Sequence, residues 1–305
     1  MTGISETILR DFMVRKTKEQ KSGFIEYMRS VFPDLSLEED KKNRNLILGD
    51  VESAKVLLTA HYDTCVKMPF PNFITPMNMW VYLGYQLMIT VPFLLLMWFV
   101  RDVVFLFSQS DSWSMLAGYF AMLGAMYYLM IGGPANPWTA NDNTSGVITL
   151  VELYHAMPQA LKDRVAFVFF DNEEAGLLGS GAFAKKRLKS QLKKKLILNF
   201  DCVSDGDHFL FVLNKPAMEQ YGDAFRSAFP ETEGKKVRVE STAKAFYPSD
   251  QSKFPVNAAV SSMNRHKRWG LYMDKIHTPE DRCFDTDNIG FLREGTIRLL
   301  EELVK

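Results

Sequence analysis

The stretch FVFFDNEEAGLLGSG, from Phe167 to Gly181, follows large apolar residues almost at once with Asp171, Glu173 and Glu174. Carboxylates this close repel one another, and a buried strand gains nothing by ending on them. A divalent cation among them reverses the sign of that interaction. One glutamate of the pair can then ligate metal, while its unligated neighbour takes a proton from an activated water. Other polar residues gather where apolar runs stop: His61 and Asp63 in LLTAHYDT, and Asp201 in LNFDCVSDGD. Asp142 in ANDNTSG and His277 in KIHTPED join them. Singly, a strand-end aspartate ordinarily caps a helix, and a lone histidine is a hydrogen-bonded structural residue. Together they make a mixed histidine and carboxylate set suited to zinc.

Competing chemistries have weaker support. GLLGSG follows a strand but lacks the phosphate-loop lysine and sits behind carboxylates that would repel phosphate. G-x-S-x-G is absent, as is H-E-x-x-H, which removes the usual serine-hydrolase signal and the helix-borne mononuclear zinc site. Cys65, Cys202 and Cys283 contain no C-x-x-C pair and read as small packing residues beside the polar motifs, with a thiolate ligand as the alternative. Basic and acidic side chains balance at 36 each, so nothing points to nucleic acid as a partner.

The elements that must carry these residues follow from hydrophobic period. Ser5 to Val31 has apolar residues at helical spacing and reads as one or two amphipathic helices. LSLEED, RNLILGD, KVLLTAHYD, RVAFVFFD, KLILNFDCV, HFLFVLN and NAAVSSM read as strands. SGVITLVELYHAM, EQYGDAFRSAF and the tail from Asp287 read as helices, and the chain after Gly176 as a turn continuing into a helix through a lysine-rich end. Strands alternating with helices imply a three-layer α/β/α sandwich around a mostly parallel mixed sheet, with sites beyond the carboxyl ends of its strands.

One region departs from this pattern. Trp80 to Val100 and Trp113 to Ile131 contain no charged residue, and each is long enough to cross ~30 Å of hydrocarbon. Tryptophans and tyrosines lie towards their ends, where interfacial aromatics belong. With RDVVFLFSQSDS as a short link, they predict a transmembrane helical hairpin over 78–132, inserted into a single catalytic domain made of 1–77 and 133–305. Both halves of that domain must fold on one side. The N-terminal residues lack an apolar stretch of signal-peptide length, and the link is not the positive side, so the catalytic domain is expected in the cytoplasm. Ala117, Ala121 and Ala125 recur every four residues, a stripe that also admits a homodimer.

The motifs HYDT, NDNTSG, FFDNEEAGLLGS, NFDCVSDGD, SDQSKF and HTPEDRCFDTD, in that order, resemble those of the co-catalytic di-zinc peptidases. That family includes bacterial leucyl aminopeptidase, aminopeptidase Y, glutamate carboxypeptidase and glutaminyl cyclase. The resemblance implies two zinc ions per chain bridged by Asp142, with His61 and Asp201 completing one site and Glu174 and His277 the other. It implies Glu173 as the general base and Asp63 as the residue that holds the His61 ring. Tyr247, just before PSD, is a candidate hydrogen-bond donor to the oxyanion.

Two departures stand out. About eighty residues separate His61 from Asp142 where the family has a short loop, and Gln251 stands where many members have histidine. The implied activity is removal of N-terminal residues from peptide substrates. The alternatives are a carboxypeptidase or other amidohydrolase, with Arg265 and Arg268 as candidate carboxylate binders, or a non-catalytic membrane-anchored binding module.

Overall fold

The computed structural model describes residues 1–187 and 192–304. Two N-terminal helices, α1 (Gly3–Asp11) and α2 (Lys18–Val31), precede the strands β1 (Ser36–Glu39), β2 (Arg44–Leu48) and β3 (Val56–His61). The long helices α3 (Met79–Ser108) and α4 (Asp111–Tyr127) follow, then α5 (Gly146–Ala156), a single turn α6 (Gln159–Lys162) and β4 (Val165–Phe170). The remainder is α7 (Leu178–Arg187), β5 (Leu196–Phe200), β6 (His208–Leu213), α8 (Lys215–Ala228), β7 (Lys236–Ser241), β8 (Asn257–His266), β9 (Gly270–Tyr272) and α9 (Thr286–Leu303).

The main path of the sheet runs β1-β2-β4-β3-β5-β8-β6-β7, with β9 paired to β8. At its centre β4, β3, β5 and β8 are mutually parallel, whereas β2 pairs antiparallel with β4 and β6 antiparallel with β8. The three central strands β3, β4 and β5 are buried at every residue, as expected of parallel strands covered on both faces. Alternation sorts their side chains. Phe167 and Phe169 face the larger core with α2 and α5, and Ala166, Val168 and Phe170 face a smaller one with Phe183 of α7 and Phe254. The α/β/α reading therefore holds, with one layer thick and the other thin.

Several boundaries differ from the sequence reading. The N-terminal amphipathic segment is two helices, because Thr17 starts α2 with a capping box closed by Gln20. β7, KVRVES, is a strand beyond those expected from the sequence, an alternating segment at the edge of the sheet. The helix expected through the lysine run is seen from Leu178 to Arg187, and residues 188–191 of that expectation lie outside the described residues.

The link expected from Arg101 to Ser112 is mostly helix. VVFLF has no breaker, so α3 continues to Ser108, and the turn is only Gln109 and Ser110, with Gln109 left-handed at φ 49°. Arg101 is accommodated inside α3 by ion pairs to Asp102 at 2.7 Å and Asp111 at 2.8 Å. The two helices pack closely where Gly118 faces the Met97 carbonyl, leaving no room for a side chain. No residue of α3 is buried; α4 runs on into a π-helical turn, Tyr128–Gly132, and the spans Met79–Ser108 and Asp111–Gly132 are, by length and composition, long and apolar enough to cross a membrane.

The inserted segment is closed at its base. Val66 and Ala135 form an antiparallel bridge, flanked by hydrogen bonds from Lys67 N to Pro134 O at 2.9 Å and from Asn136 N to Cys65 O at 3.1 Å. The rest of the chain joins β3, before the insert, to β4 and β5, after it.

A buried ion pair fixes α2 to the end of β4. Lys21 Nζ lies 2.7 Å from Asp171 Oδ1 and donates to Asn172 Oδ1 at 2.8 Å, while Asp171 Oδ2 accepts from Arg44 N at 2.9 Å. Burial and nearby Asp63 push the Asp171 carboxyl up, and Lys21 opposes them. Lys21→Met leaves a buried carboxylate without its cation and is expected to lower stability by about 3–5 kcal/mol. Chemical unfolding of the purified protein reads this, and adding Asp171→Asn should recover part of the loss. An unchanged unfolding midpoint in Lys21→Met would refute the assignment.

Candidate active site

The parallel centre of the sheet brings three carboxyl ends to one edge. His61 is the last residue of β3, Asp201 follows β5 directly, and Glu173 and Glu174 lie just past β4. Asp142 sits in the irregular turn before α5, and His277 follows β9. These six residues line one cleft of about 340 Å³. The chain turns sharply around it. Asn172, Leu177, Cys202 and His277 all have positive φ, which non-glycine residues adopt rarely and often near functional sites.

Asp142 is shared between two groups of donors. Its Oδ1 lies 3.4 Å from His61 Nε2, and its Oδ2 lies 3.2 Å from His277 Nε2. Asp201 Oδ1 stands 3.7 Å from His61 Nε2, and Glu174 Oε2 stands 3.4 Å from His277 Nε2. Donor atoms at these separations can converge on a cation about 2 Å from each. Glu174 Oε1 is buried with no hydrogen-bond partner, which is costly for a carboxylate oxygen and suits a cation ligand. The residues therefore fit divalent metal. Cys65 Sγ also lies within 4.8 Å of donor atoms on Asp142, Glu174 and His277.

Backbone groups hold the donors in place. His61 Nδ1 is 3.1 Å from the Asp63 carbonyl oxygen, an acceptor only, so Nδ1 carries the proton and Nε2 is left as the ligand atom. The Asp63 carboxylate stands farther off, at 3.7 Å. Its oxygens instead accept from Glu173 N at 2.9 Å and Glu174 N at 3.2 Å, so it positions the glutamate pair as well as the histidine.

Asp281 does the same for Asp142, accepting from Asn141 N at 2.9 Å and Asp142 N at 3.0 Å. Asn143 ties this turn to β5 through Phe200 O at 3.0 Å and Cys202 N at 3.2 Å. Gly146 starts α5 where a Cβ would strike the Phe200 carbonyl. Sequence reasoning gave no role to Asn141, Asn143, Asp250 or Asp281. All four fall inside motifs it singled out, but backbone partners far along the chain leave no sequence period.

The other candidates have definite places. Tyr247 lines the cleft, and its hydroxyl donates to Asp201 O at 3.2 Å. Gln251 is a brace, donating to Tyr247 O at 2.7 Å and accepting from Asn199 at 3.2 Å. Asp171 turns away from the cleft to Lys21. Arg265 lines a separate depression with Asp207 and Glu231, and Arg268 is exposed on the β8–β9 turn. Cys202 borders the cleft and Cys283 lies near Ser204.

Burial and the company of like charges raise the proton affinity of this site. Burial pushes both glutamates well above the usual carboxylate range, with Asp142 acting on Glu174, and with Glu174 and Asp250 acting on Glu173 against the pull of His61. Burial likewise lifts Asp250 and Asp281 to about 7. Asp142 goes the other way: burial opposes its charge, but His277 and His61 hold it below the ordinary range.

A carboxyl whose folded pKa is raised stabilises the fold at low pH, and that stability is lost as pH rises from its unfolded to its folded value. Chelator-treated protein should therefore lose thermal stability between about pH 4 and pH 7, the window set by Asp250 and Asp281. Added zinc should raise the melting temperature most at the upper end of that window. A metal-free melting temperature that climbs across the window would contradict this charge balance.

The sequence profile described as peptidase family M28 matches residues 101–296, more than half of the chain. His61 and Asp63 precede the matched residues. An aminopeptidase of Pseudomonas aeruginosa is 31% identical over 196 residues, covering 58% of this chain and 36% of that protein. A probable leucine aminopeptidase 2 of Aspergillus oryzae is 30% identical over 111 residues, covering 36% of this chain and 21% of that protein. The chain thus spans only about a fifth to a third of the length of these relatives. Among solved structures, the glutaminyl cyclase of Porphyromonas gingivalis superposes with a TM-score of 0.59 at 14% identity, covering 98% of this chain and 96% of that one. The LapA aminopeptidase of Legionella pneumophila gives 0.58 at 12% identity, covering 98% and 68%. At these identities the structural matches establish the fold.

Proposed function

Because the chain belongs to peptidase family M28, we propose that it is a membrane-anchored, zinc-dependent aminopeptidase that uses two metal ions. The observation that carries this reading is the shared carboxylate: Asp142 offers one oxygen towards His61 and the other towards His277. His61 and Asp201 would hold one zinc, Glu174 and His277 the other, with Asp142 common to both. Bound there, the ions supply Lewis acidity towards the scissile carbonyl and make water acidic enough to be deprotonated near neutral pH.

The chain's own residues do the rest. Glu173 has a carboxylate oxygen within 4.8 Å of donor atoms on His61 and Glu174 but falls outside the two donor groups that contain Asp142, and the Ser249 hydroxyl donates to its Oε1 at 3.3 Å. In this reading Glu173 would take a proton from the attacking water and return it to the leaving amine. Asp63 fixes the backbone of Glu173, so base and ligand move together. The Tyr247 hydroxyl must leave the Asp201 carbonyl before it can donate to an oxyanion, which makes it a secondary candidate.

Charge selects the end of the peptide. Among the described residues no arginine or lysine lines the cleft, whereas four carboxylates do. With two zinc ions bound, these carboxylates would be balanced by the metal charge, so the preference rests on the first point: a terminal carboxylate would find no cationic side chain to pair with, which favours aminopeptidase over carboxypeptidase. The complete donor set argues against a non-catalytic module.

Membrane anchoring draws support from α3 and α4. Trp80, Leu87, Leu95, Phe99, Leu106 and Phe107 are exposed on α3, an apolar surface far larger than water-facing helices carry. We read residues 78–132 as a spanning hairpin inserted into one catalytic domain of 1–77 and 133–305, which faces the cytoplasm. A protease added outside intact cells should leave the catalytic domain uncut, and its destruction would reverse that topology.

The primary test is metal content by mass spectrometry, together with hydrolysis of aminoacyl chromogenic amides by the same sample. About two zinc ions per chain and turnover are expected. Glu173→Gln should keep the metal and lose activity by roughly 10²–10⁴-fold. A wild-type protein holding no zinc under loading conditions would refute the catalytic reading.

A further inference from the structure

The segments at the base of the inserted hairpin carry charge of one sign. Residues 66–78, which lead into α3, and 128–139, which lead out of α4, contain Lys67 and no acidic residue. Residues 264–273, which form the β8–β9 turn, contain Arg265, Lys267 and Arg268 and again no acidic residue. The chain as a whole is balanced at 36 basic and 36 acidic side chains, so the bias is local.

Ring contacts fix the β8–β9 turn against the start of α3. Trp269 meets Phe73 edge to face with centroids 5.5 Å apart, and Phe73 lies 5.2 Å from Tyr85 of α3. The Tyr85 hydroxyl donates to Pro71 O at 2.5 Å, which holds the helix to the segment before it. Ile74 and Met273 exchange both backbone hydrogen bonds, at 3.1 and 2.9 Å, and tie that segment to the strand after the turn. Trp80, at the start of α3, is 86% exposed, and Tyr85 is only about 7.5 Å farther along the helix axis. The turn therefore stands at the level where an apolar span meets water.

Its charges are open to a partner. Lys267 and Arg268 are exposed, and among the described residues neither side chain has an ion pair or a hydrogen bond. Trp269 is half-exposed beside them, with the His266 ring 4.2 Å from its own. Arg265 differs, since it lines a depression with Asp207 and Glu231. Beside the outgoing end of the hairpin, Lys67 is exposed next to the Val66–Ala135 bridge, and Lys16 lines a small cavity with Met130 and Ile131. Arg282 lies over the ring of half-exposed Trp138 at 4.7 Å.

We propose that these residues form a collar that binds the acidic headgroups of the bilayer leaflet next to the catalytic domain, with Lys267, Arg268 and Trp269 as its main contact. The inference rests on the reading of α3 and α4 as a membrane-spanning hairpin. A lipid surface fits better than a protein partner because the cations and aromatics are continuous with the apolar helices. Cations that reach the phosphate level while their aromatic neighbours lie at the apolar boundary suit this depth. The turn gives the domain a second point of attachment beside the hairpin and so sets its tilt. Tyr82 of α3 borders the catalytic cleft, so that tilt also sets how the cleft mouth faces the bilayer.

The test reconstitutes the full-length protein into lipid discs of phosphatidylcholine alone, or with about one-third phosphatidylglycerol. Hydrogen exchange of residues 264–270 is then followed by mass spectrometry. Exchange should be roughly tenfold slower in the acidic discs, the scale expected of two basic residues at an anionic surface. High salt (~0.5 M) should remove the difference in the wild type. Lys267→Gln with Arg268→Gln should remove it at low salt, while exchange in the central strand β5 stays the same in every sample.

Equal exchange of the turn in the two kinds of disc overturns the inference, as does a double variant that keeps the full difference. Flotation with phosphatidylcholine vesicles at high salt tests the hairpin separately. A protein that floats but shows no lipid dependence at the turn refutes the collar alone. One that does not float refutes the spanning hairpin and, with it, the collar as a second attachment.

Discussion

Like charges buried together must be compensated, and the loops beyond β3, β4 and β5 bring Asp142, Glu173, Glu174 and Asp201 to one cleft. The surrounding structure is organised around that requirement. His61 and His277 face the shared aspartate from two sides. The carboxylates of Asp63 and Asp281 accept backbone N–H groups of the turns that carry the donors, so they fix the geometry of those turns. Lys21 draws Asp171 out of the cluster and leaves it a structural ion pair. The apparent excess of acid after β4 thus divides into one anchor, Asp171, one candidate ligand, Glu174, and one candidate base, Glu173.

The same economy explains how a long insert is tolerated between His61 and Asp142. The bridge between Val66 and Ala135 returns the chain to its point of departure. The sheet therefore sees a short loop, whatever is built beyond it. Residues 67–78 are the exception, since they run along the segment that carries His277 and form part of the cleft rim. An inserted element has in this way become a boundary of the site.

Much of this was legible in the sequence because two signals were strong. Fully apolar strand cores such as Val165–Phe170 announced a sheet covered on both faces. His61, Glu173, Glu174 and Asp201 follow such runs, Asp142 and His277 lie in polar stretches outside the strands, and the fold brings all six into one cleft. Long-range partners were not legible. Nothing local marks Asp281 as the acceptor for the turn holding Asp142, or Lys21 as the cation for Asp171, because each pair is made by the fold and not by spacing. The helical link after Arg101 was misread because two acids and one base in sequence look like a solvated turn. In three dimensions Arg101 reaches Asp111 on the facing helix, and the charges neutralise one another.

The strand order has a consequence for how the molecule is made. β2 and β3 are neighbours in sequence, yet β4 lies between them in the sheet. As the chain is synthesised from its N-terminus, β3 appears before α3 and α4, and β4 appears only after them. The central sheet therefore stays open, with an apolar strand edge unpaired, until both long helices have left the ribosome and found their place. Any delay in housing the hairpin prolongs the exposure of that edge to other chains. Assembly of the central sheet and placement of the two long helices are thus one event in time, and the wedge position of β4 makes the first wait for the second.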